Sequence, residues 1–167
     1  MNYNTEVKRL VKNTLMLYVR TFFVMLVSLF TVRGVFNALG VIDYGIQNVV
    51  SGFVSMFTFV TGSLSVAIGR FFSIELEKKT VARFSDLFSS VFIVVFLLSI
   101  VLLFVEEIFG VYFLNEEMNI PPERLSAANW VLQFSILTLF INLLSVPFDA
   151  LIISAEKMDI YAFIGIV

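Results

Sequence analysis

Four long apolar runs lie along this chain of 167 residues, at 15–36, 46–68, 87–105 and 131–153. A helix needs roughly 20 apolar residues to cross the hydrocarbon core of a bilayer, and helices buried in soluble domains are usually shorter. Mean hydropathy is +0.98 and 14% of the residues are charged, against about 25% in an ordinary soluble domain. The pattern therefore predicts an all-α, polytopic membrane helix bundle.

The apolar runs and their flanks set the expected spans. We predict complete spans at about 14–37, 45–70, 85–106 and 126–153. A further apolar segment, at about 158–167, is too short to cross a bilayer and has the character of the start of a fifth span. We therefore expect the chain to be the incomplete first part of a larger membrane domain.

Cysteine and histidine are both absent from the sequence. Their absence removes disulfide frameworks, histidine metal sites and serine–histidine triads. No nucleophile–base pair stands out among the remaining residues. A net charge of −2 would normally argue against an anionic partner, but in a membrane protein the location of charge matters more than its sum. We therefore expect no enzymatic activity, no catalytic residue, no cofactor, no metal site and no nucleic-acid partner.

Basic residues gather in alternate connectors. One set precedes the first span, surrounds the connector after the second and follows the fourth: Lys8, Arg9, Lys12, Arg70, Lys78, Lys79, Arg83 and Lys157. The other connectors are acidic, with Asp43, Glu106, Glu107, Glu116, Glu117 and Glu123, and with Arg124 as their clear basic residue. Because lysine and arginine accumulate on the cytoplasmic side, we predict a cytoplasmic amino terminus.

The segment between the first two spans has turn chemistry. Residues 37–45 include Gly40, Gly45 and Asp43, residue types that suit a tight connection between two helices. We expect the first two spans to form an antiparallel hairpin.

A polar stripe lies inside the fourth predicted span. Its members recur at helical spacing along one face: Ser135, Thr138, Asn142, Ser145 and Asp149. Such a stripe faces protein or water, and its hydroxyl members could do no more than fasten helices together. Asn142 and Asp149 are costlier to bury and are candidate substrate-cavity residues, although Asp149 could also be solvated near the cytoplasmic end.

Two cations, Arg20 and Arg33, flank apolar residues in the first span. A buried arginine needs an anion, a cavity or the interface, and long side chains can also snorkel to the headgroups. Thirteen helical steps place the two arginines on different faces, so one cavity cannot take both on a straight helix. Both are candidate substrate-cavity residues. The small residues Thr58, Thr61, Gly62, Ser65 and Gly69 of the second span indicate close helix packing.

Residues 28–50, which include Arg33 and the sequence NALGVIDYGIQNVV, resemble the first hairpin of bacterial polysaccharide flippases. These are the O-antigen and capsule exporters of the multidrug/oligosaccharidyl-lipid/polysaccharide exporter superfamily. Shorter stretches also resemble that family, at 70–76, 119–121, 127–131 and 145–148.

The resemblance implies the first part of a MATE-like, two-lobed transporter. Such a protein moves an undecaprenyl-diphosphate-linked oligosaccharide across the bacterial inner membrane by alternating access through a cationic cavity. The expected partners are then that lipid-linked oligosaccharide and membrane lipids, with the coupling ion open. Arg33 and Arg70 match positions in the resembling stretches, whereas Asp149 stands where a neutral polar residue is expected.

Two alternatives remain at the level of sequence. A multidrug or cation exporter of the same superfamily would favour buried acids over buried arginines. A non-transporting membrane fragment or accessory subunit would need no cavity.

Overall fold

A computed structural model describes residues 3–78 and 81–165, so Lys79 and the last two residues of the predicted fifth segment lie outside the described residues. All regular structure in those residues is helical: α1 (Tyr3–Ser55), α2 (Thr58–Glu77), α3 (Val81–Tyr112), a π-helical turn (Phe113–Glu117), α4 (Pro122–Ser154) and α5 (Met158–Ile164). The predicted all-α class is confirmed for this part of the chain.

Three segments are long and apolar enough to cross a membrane. They are Val11–Glu77, Arg83–Glu117 and Pro122–Ser154. Many large apolar side chains on these helices are exposed, which suits a lipid environment and would be unusual in water. The molecule is a helical membrane protein by the length and composition of its helices.

The first of these segments breaks at Gly40, where φ is 75° and ψ is 175°. A positive φ strains any residue with a Cβ, so glycine is the residue that this break favours. The Phe36 and Tyr44 rings meet edge to face across the break, with centroids 5.3 Å apart. The break falls inside the predicted turn at 37–45.

Contacts on the two sides of Gly40 follow α4 in opposite directions. Before the break, Arg20 interacts electrostatically with Asp149, toward the carboxyl end of α4, and Val35 and Leu39 share a cavity with Arg124 at its amino end. After the break, Asp43 forms an ion pair with Arg124, and Ser51 lies 3.5 Å from Ser135. Further along, Ser154 near the carboxyl end of α4 donates a hydrogen bond of 3.1 Å to the carbonyl of Gly69.

Within the predicted span at 45–70 the helix is interrupted, because α1 ends at Ser55 and α2 begins at Thr58. Backbone N–H groups here donate to the third residue back, as in the bond from Met56 to Phe53. The hydroxyls of Ser55 and Thr58 also donate to carbonyls three residues back. Such bonds compete with the α-helical ladder and tighten the chain into a turn.

α3 extends beyond the predicted end of the third span at 106. Glu106 and Glu107 lie within α3, which continues to Tyr112, and not in the acidic connector. Glutamate is a good helix former, and Gln133 of α4 donates to both carboxylate oxygens of Glu107 at 2.7 and 2.9 Å. The helix therefore continues past the acidic pair, which the sequence analysis placed in the connector.

α4 is the central helix of the bundle and packs against α1, α2, α3 and α5. Its buried residues contribute to two apolar clusters. One cluster holds Val50, Val54, Leu114, Ala128, Leu132, Ile136, Leu139 and Leu143, and the other holds Ile68, Phe72, Val95, Val146 and Ala150. The polar stripe of α4 therefore runs beside a well-packed core.

Candidate functional site

A polar cavity of about 310 Å³ lies between α2, α4 and α5. Its lining residues are Thr58, Thr61, Gly62, Ser65, Leu139, Asn142, Ser145, Val146, Asp149, Ile153 and Tyr161. We call this space the polar cavity. It is the place where the structure brings together most of the candidate residues found in the sequence.

The α4 wall of the polar cavity is formed by Asn142, Ser145 and Asp149. These residues are three and four positions apart, so one face of the helix presents all of them. The Ser145 hydroxyl donates to the carbonyl of Ile141 at 2.9 Å. Among the described residues, neither Asn142 nor Asp149 makes a side-chain hydrogen bond, so both are available to an occupant of the cavity.

The α2 wall supplies hydroxyl groups and backbone surface. Thr61 donates to the carbonyl of Thr58 at 2.6 Å, and its hydroxyl oxygen can still accept a hydrogen bond. Gly62 has no heavy atom within 4 Å of the position that a Cβ would take, so the wall is open there. The stripe of small residues in the second predicted span, interpreted from sequence as a packing device, therefore also lines the cavity.

Arg20 contacts Tyr161, which lines the polar cavity. Its guanidinium carbon lies 4.2 Å from the centroid of the Tyr161 ring, a cation–π contact. Arg20 is also close enough to Asp149 to interact electrostatically with its carboxylate. The candidates Arg20, Asn142 and Asp149 are thus gathered around one cavity, with a cation and an anion at its α5 side.

Arg33 lies elsewhere. It lines a separate open groove of about 360 Å³ on α1, with Met25, Ser28, Leu29, Val32 and Phe36. Its side chain is exposed there. The separation of Arg20 from Arg33 agrees with the prediction that one cavity cannot take both.

A larger cavity of about 560 Å³ lies at the opposite end of the bundle, between the Gly40 break and the start of α4. Its walls are mainly apolar, with Val35, Leu39, Ile46, Ala127, Ala128 and Val131. Asp43 and Arg124, which form an ion pair, also line it. This cavity contains none of the candidate residues found in the sequence.

Searches of protein-family models, of curated proteins and of solved structures found no match to this chain. What the site can bind must therefore be judged from its own residues.

The residues of the polar cavity can hydrogen bond a neutral polar group and can balance one charge of either sign. Hydroxyl and amide groups from two helices suit a ligand rich in hydroxyls, and a guanidinium suits a phosphate oxygen. Within residues 3–78 and 81–165, no group of three acidic side chains is arranged to hold a metal ion.

Sequence analysis missed several members of the site: Thr58, Thr61 and Ser65 as lining residues, and Tyr161. The first three belong to a small-residue stripe whose spacing matches that of the polar stripe on α4, and two matched stripes on different apolar segments are a usable signal. Tyr161 offered no comparable signal. It is one aromatic residue in a short apolar segment, and only the docking of α5 against α1 gives it a role.

Proposed function

We propose that this chain belongs to a transporter that moves an undecaprenyl-diphosphate-linked oligosaccharide across the bacterial inner membrane. The observation that carries the proposal is a polar cavity between apolar helices with Arg20 beside it. The resemblance of residues 28–50 to polysaccharide flippases supports the same conclusion. Membrane lipids and the lipid-linked oligosaccharide are the partners.

The topology that we propose has four complete crossings and a cytoplasmic amino terminus, as the first part of a MATE-like fold. The break at Gly40 supports two crossings within Val11–Glu77. Before Gly40 the contacts run from Asp149 toward Arg124, and after it they run from Arg124 toward Ser154, which supports two crossings as well. In this topology Gly69 and Ser154 lie toward the cytoplasm, and Asp43 and Arg124 lie toward the outside.

The proposed chemistry is recognition without bond breaking. The guanidinium of Arg20 neutralises part of the pyrophosphate charge, since charge-assisted hydrogen bonds to phosphate are strong in a low-dielectric site. Asn142 and the hydroxyls of the α2 wall bind hydroxyl groups of the first sugar. When the site is empty, the Asp149 carboxylate attracts the Arg20 guanidinium. When a pyrophosphate binds, Arg20 contacts the pyrophosphate instead.

A second candidate function rests on Asp149 itself. An acid in a membrane cavity can bind an organic cation, which is the requirement of a multidrug exporter of the same superfamily. Under this alternative Arg20 is the residue that neutralises the empty site. The two candidate functions differ in whether the substrate binds the charge of Arg20 or the charge of Asp149.

The test is deletion of the gene that encodes this chain from the organism that carries it. We expect loss of surface polysaccharide and accumulation of the undecaprenyl-diphosphate-linked oligosaccharide, restored by the wild-type gene. A deletion strain with normal surface polysaccharide would overturn the proposal.

Variants in the rescuing gene then separate the candidates. Arg20→Gln should lower polysaccharide export about tenfold or more, because one charge-assisted hydrogen bond is worth about 1.5–3 kcal/mol. Arg83→Gln, at an exposed cation outside the cavity, is the matched control and should export normally. Asp149→Asn should keep export if the substrate is anionic and abolish transport if it is cationic.

A further inference from the structure

Glu106 is a buried acid that the proposed site does not use. Its side chain is 1% exposed, in the interior of α3. Its Oε1 atom is buried and has no hydrogen-bond partner. Glu107, the next residue, has a quite different environment, because Gln133 donates to both of its oxygens.

The position of Glu106 follows from the packing of α3. Gly110, one turn further along, faces α4 and α1, since a Cβ built there would lie 3.1 Å from Leu132 and 3.3 Å from Phe53. Ser99, two turns before Glu106, is also 1% exposed and satisfies its own hydroxyl by donating to the carbonyl of Phe96. Glu106 therefore lies on the inward face of α3, in the half of the bundle that contains the Gly40 break.

No described cation neutralises Glu106. The charged residues on this half of the neighbouring elements are Arg33 and Asp43 of α1, Glu116 and Glu117 of the π-helical turn, and Glu123 and Arg124 of α4. Arg124 is paired with Asp43, and Arg33 lines its own exposed groove. The charged residues of α2, at Arg70, Glu75 and Glu77, lie near the opposite end, where Gly69 meets Ser154.

A carboxylate in such surroundings is unstable, because burying an unpaired charge costs far more than burying a neutral polar group. A proton removes that charge with no additional ligand. A metal cation would need several oxygen ligands, and the described residues contain no group of three acidic side chains to provide them.

We propose that Glu106 is a proton-binding site inside the bundle, occupied in the conformation seen here and emptied when α3 and α4 separate. The chemistry is reversible: while the helices are apart the carboxyl group exchanges its proton with water, and a proton that is bound when they close is held until they part again. A role for Glu106 in coupling proton movement to transport rests on the proposed function. Proton binding by Glu106 does not depend on that function.

The first test is the thermal stability of the purified full chain in detergent between about pH 5 and about pH 9. A buried acid that must stay neutral makes folding less favourable as pH rises, so the wild-type midpoint should fall with pH. Glu106→Gln, which has the same shape and no charge, should lose that pH dependence. Glu107→Gln is the matched control and should retain it.

The second test needs no variant to fold. Dicyclohexylcarbodiimide reacts with protonated carboxyl groups in apolar surroundings, and mass spectrometry of the labelled wild-type chain can distinguish Glu106 from Glu107. We expect labelling at Glu106 that declines as pH rises and little labelling at Glu107. Equal labelling of the two residues, or a wild-type midpoint that is independent of pH, would overturn the inference.

The effect of sodium on thermal stability distinguishes a proton site from a metal-cation site. A midpoint that rises with sodium at constant ionic strength, in wild type and not in Glu106→Gln, would assign the site to a metal cation and overturn the inference of a proton. Failure of the gene-deletion test with both carboxyl tests positive would leave Glu106 as a proton site in a protein of another function.

Discussion

The guanidinium carbon of Arg20 lies 4.2 Å from the centre of the Tyr161 ring, so the first helix of the chain is joined to the last described one by a cation–π contact. The pair closes the α5 side of the polar cavity, in which Tyr161 is also a lining residue. Residues 141 positions apart in the sequence therefore define one boundary of the candidate site.

This contact predicts a measurable coupling. Tyr161→Ala should lower the free energy of unfolding in detergent by about 0.5–2 kcal/mol, whereas Tyr161→Phe should change it little because the ring remains. A double-mutant cycle with Arg20→Met should return a coupling of the same sign. Tyr18→Ala, at a tyrosine of α1 that is 73% exposed, is the control and should have a smaller effect. Zero coupling in the cycle would show that the contact does not stabilise the fold.

Gly40 provides a test of backbone strain. Alanine at this position would have to adopt φ of 75° with ψ of 175°, which costs about 1–3 kcal/mol for a residue with a Cβ, so Gly40→Ala should lower thermal stability. Gly34→Ala is the matched control, since both glycines have open space around the Cβ position and Gly34 has no positive φ. We expect the control to be neutral or stabilising by up to about 1 kcal/mol, as in other helix interiors. Equal destabilisation by both changes would contradict a break at Gly40.

Ser154 fastens α4 to α2 through the carbonyl of Gly69. Ser154→Ala should lower the free energy of unfolding by about 0.6 kcal/mol, the average for hydrogen bonds between membrane helices. Ser63→Ala removes a hydroxyl that donates to Phe59 within its own helix, and it should cost less. Calorimetry or thermal unfolding of the purified variants would measure the difference. A larger loss in Ser63→Ala would argue against the α2–α4 contact.

The absence of cysteine makes the topology directly testable. Single cysteines at Lys8, Lys78 and Glu116 can be labelled in intact cells or spheroplasts with a maleimide that does not cross the membrane. Four crossings with a cytoplasmic amino terminus predict labelling at Glu116→Cys alone, with Lys8→Cys and Lys78→Cys labelled after permeabilisation. If Val11–Glu77 crossed once, Lys8 and Lys78 would lie on opposite sides and one of them would be labelled in intact cells.

Several parts of the fold follow from local sequence. Long apolar runs predict helices of bilayer length, because hydrophobicity is a property of each run by itself. The segment with Gly40 predicts a turn, because the backbone freedom of glycine is also a local property. The spacing of Asn142, Ser145 and Asp149 likewise places them on one face before any partner is known. Within the described residues the structure is helical with a break at Gly40, and Asn142, Ser145 and Asp149 line one cavity.

The ends of the helices were predicted less accurately from the sequence. Glu106 and Glu107 were expected in a connector, yet both lie in α3, where one is buried and the other is bound by Gln133. The interruption between Ser55 and Thr58 was not expected either. In both places the outcome depends on hydrogen bonds made to other groups, which hydropathy does not record.

By itself, the sequence determined that this is a helical membrane protein with a polar stripe on α4 and cations in its first apolar run, since chain chemistry alone controls apolarity and helical spacing. Only the tertiary structure decided that Arg20, and not Arg33, lies at the polar cavity, and that Glu106 is buried without a partner. Those outcomes depend on which faces meet when α1, α3 and α5 pack around α4. Residues far apart in the chain then share one low-dielectric interior, where each charge must find a partner, a cavity or a proton.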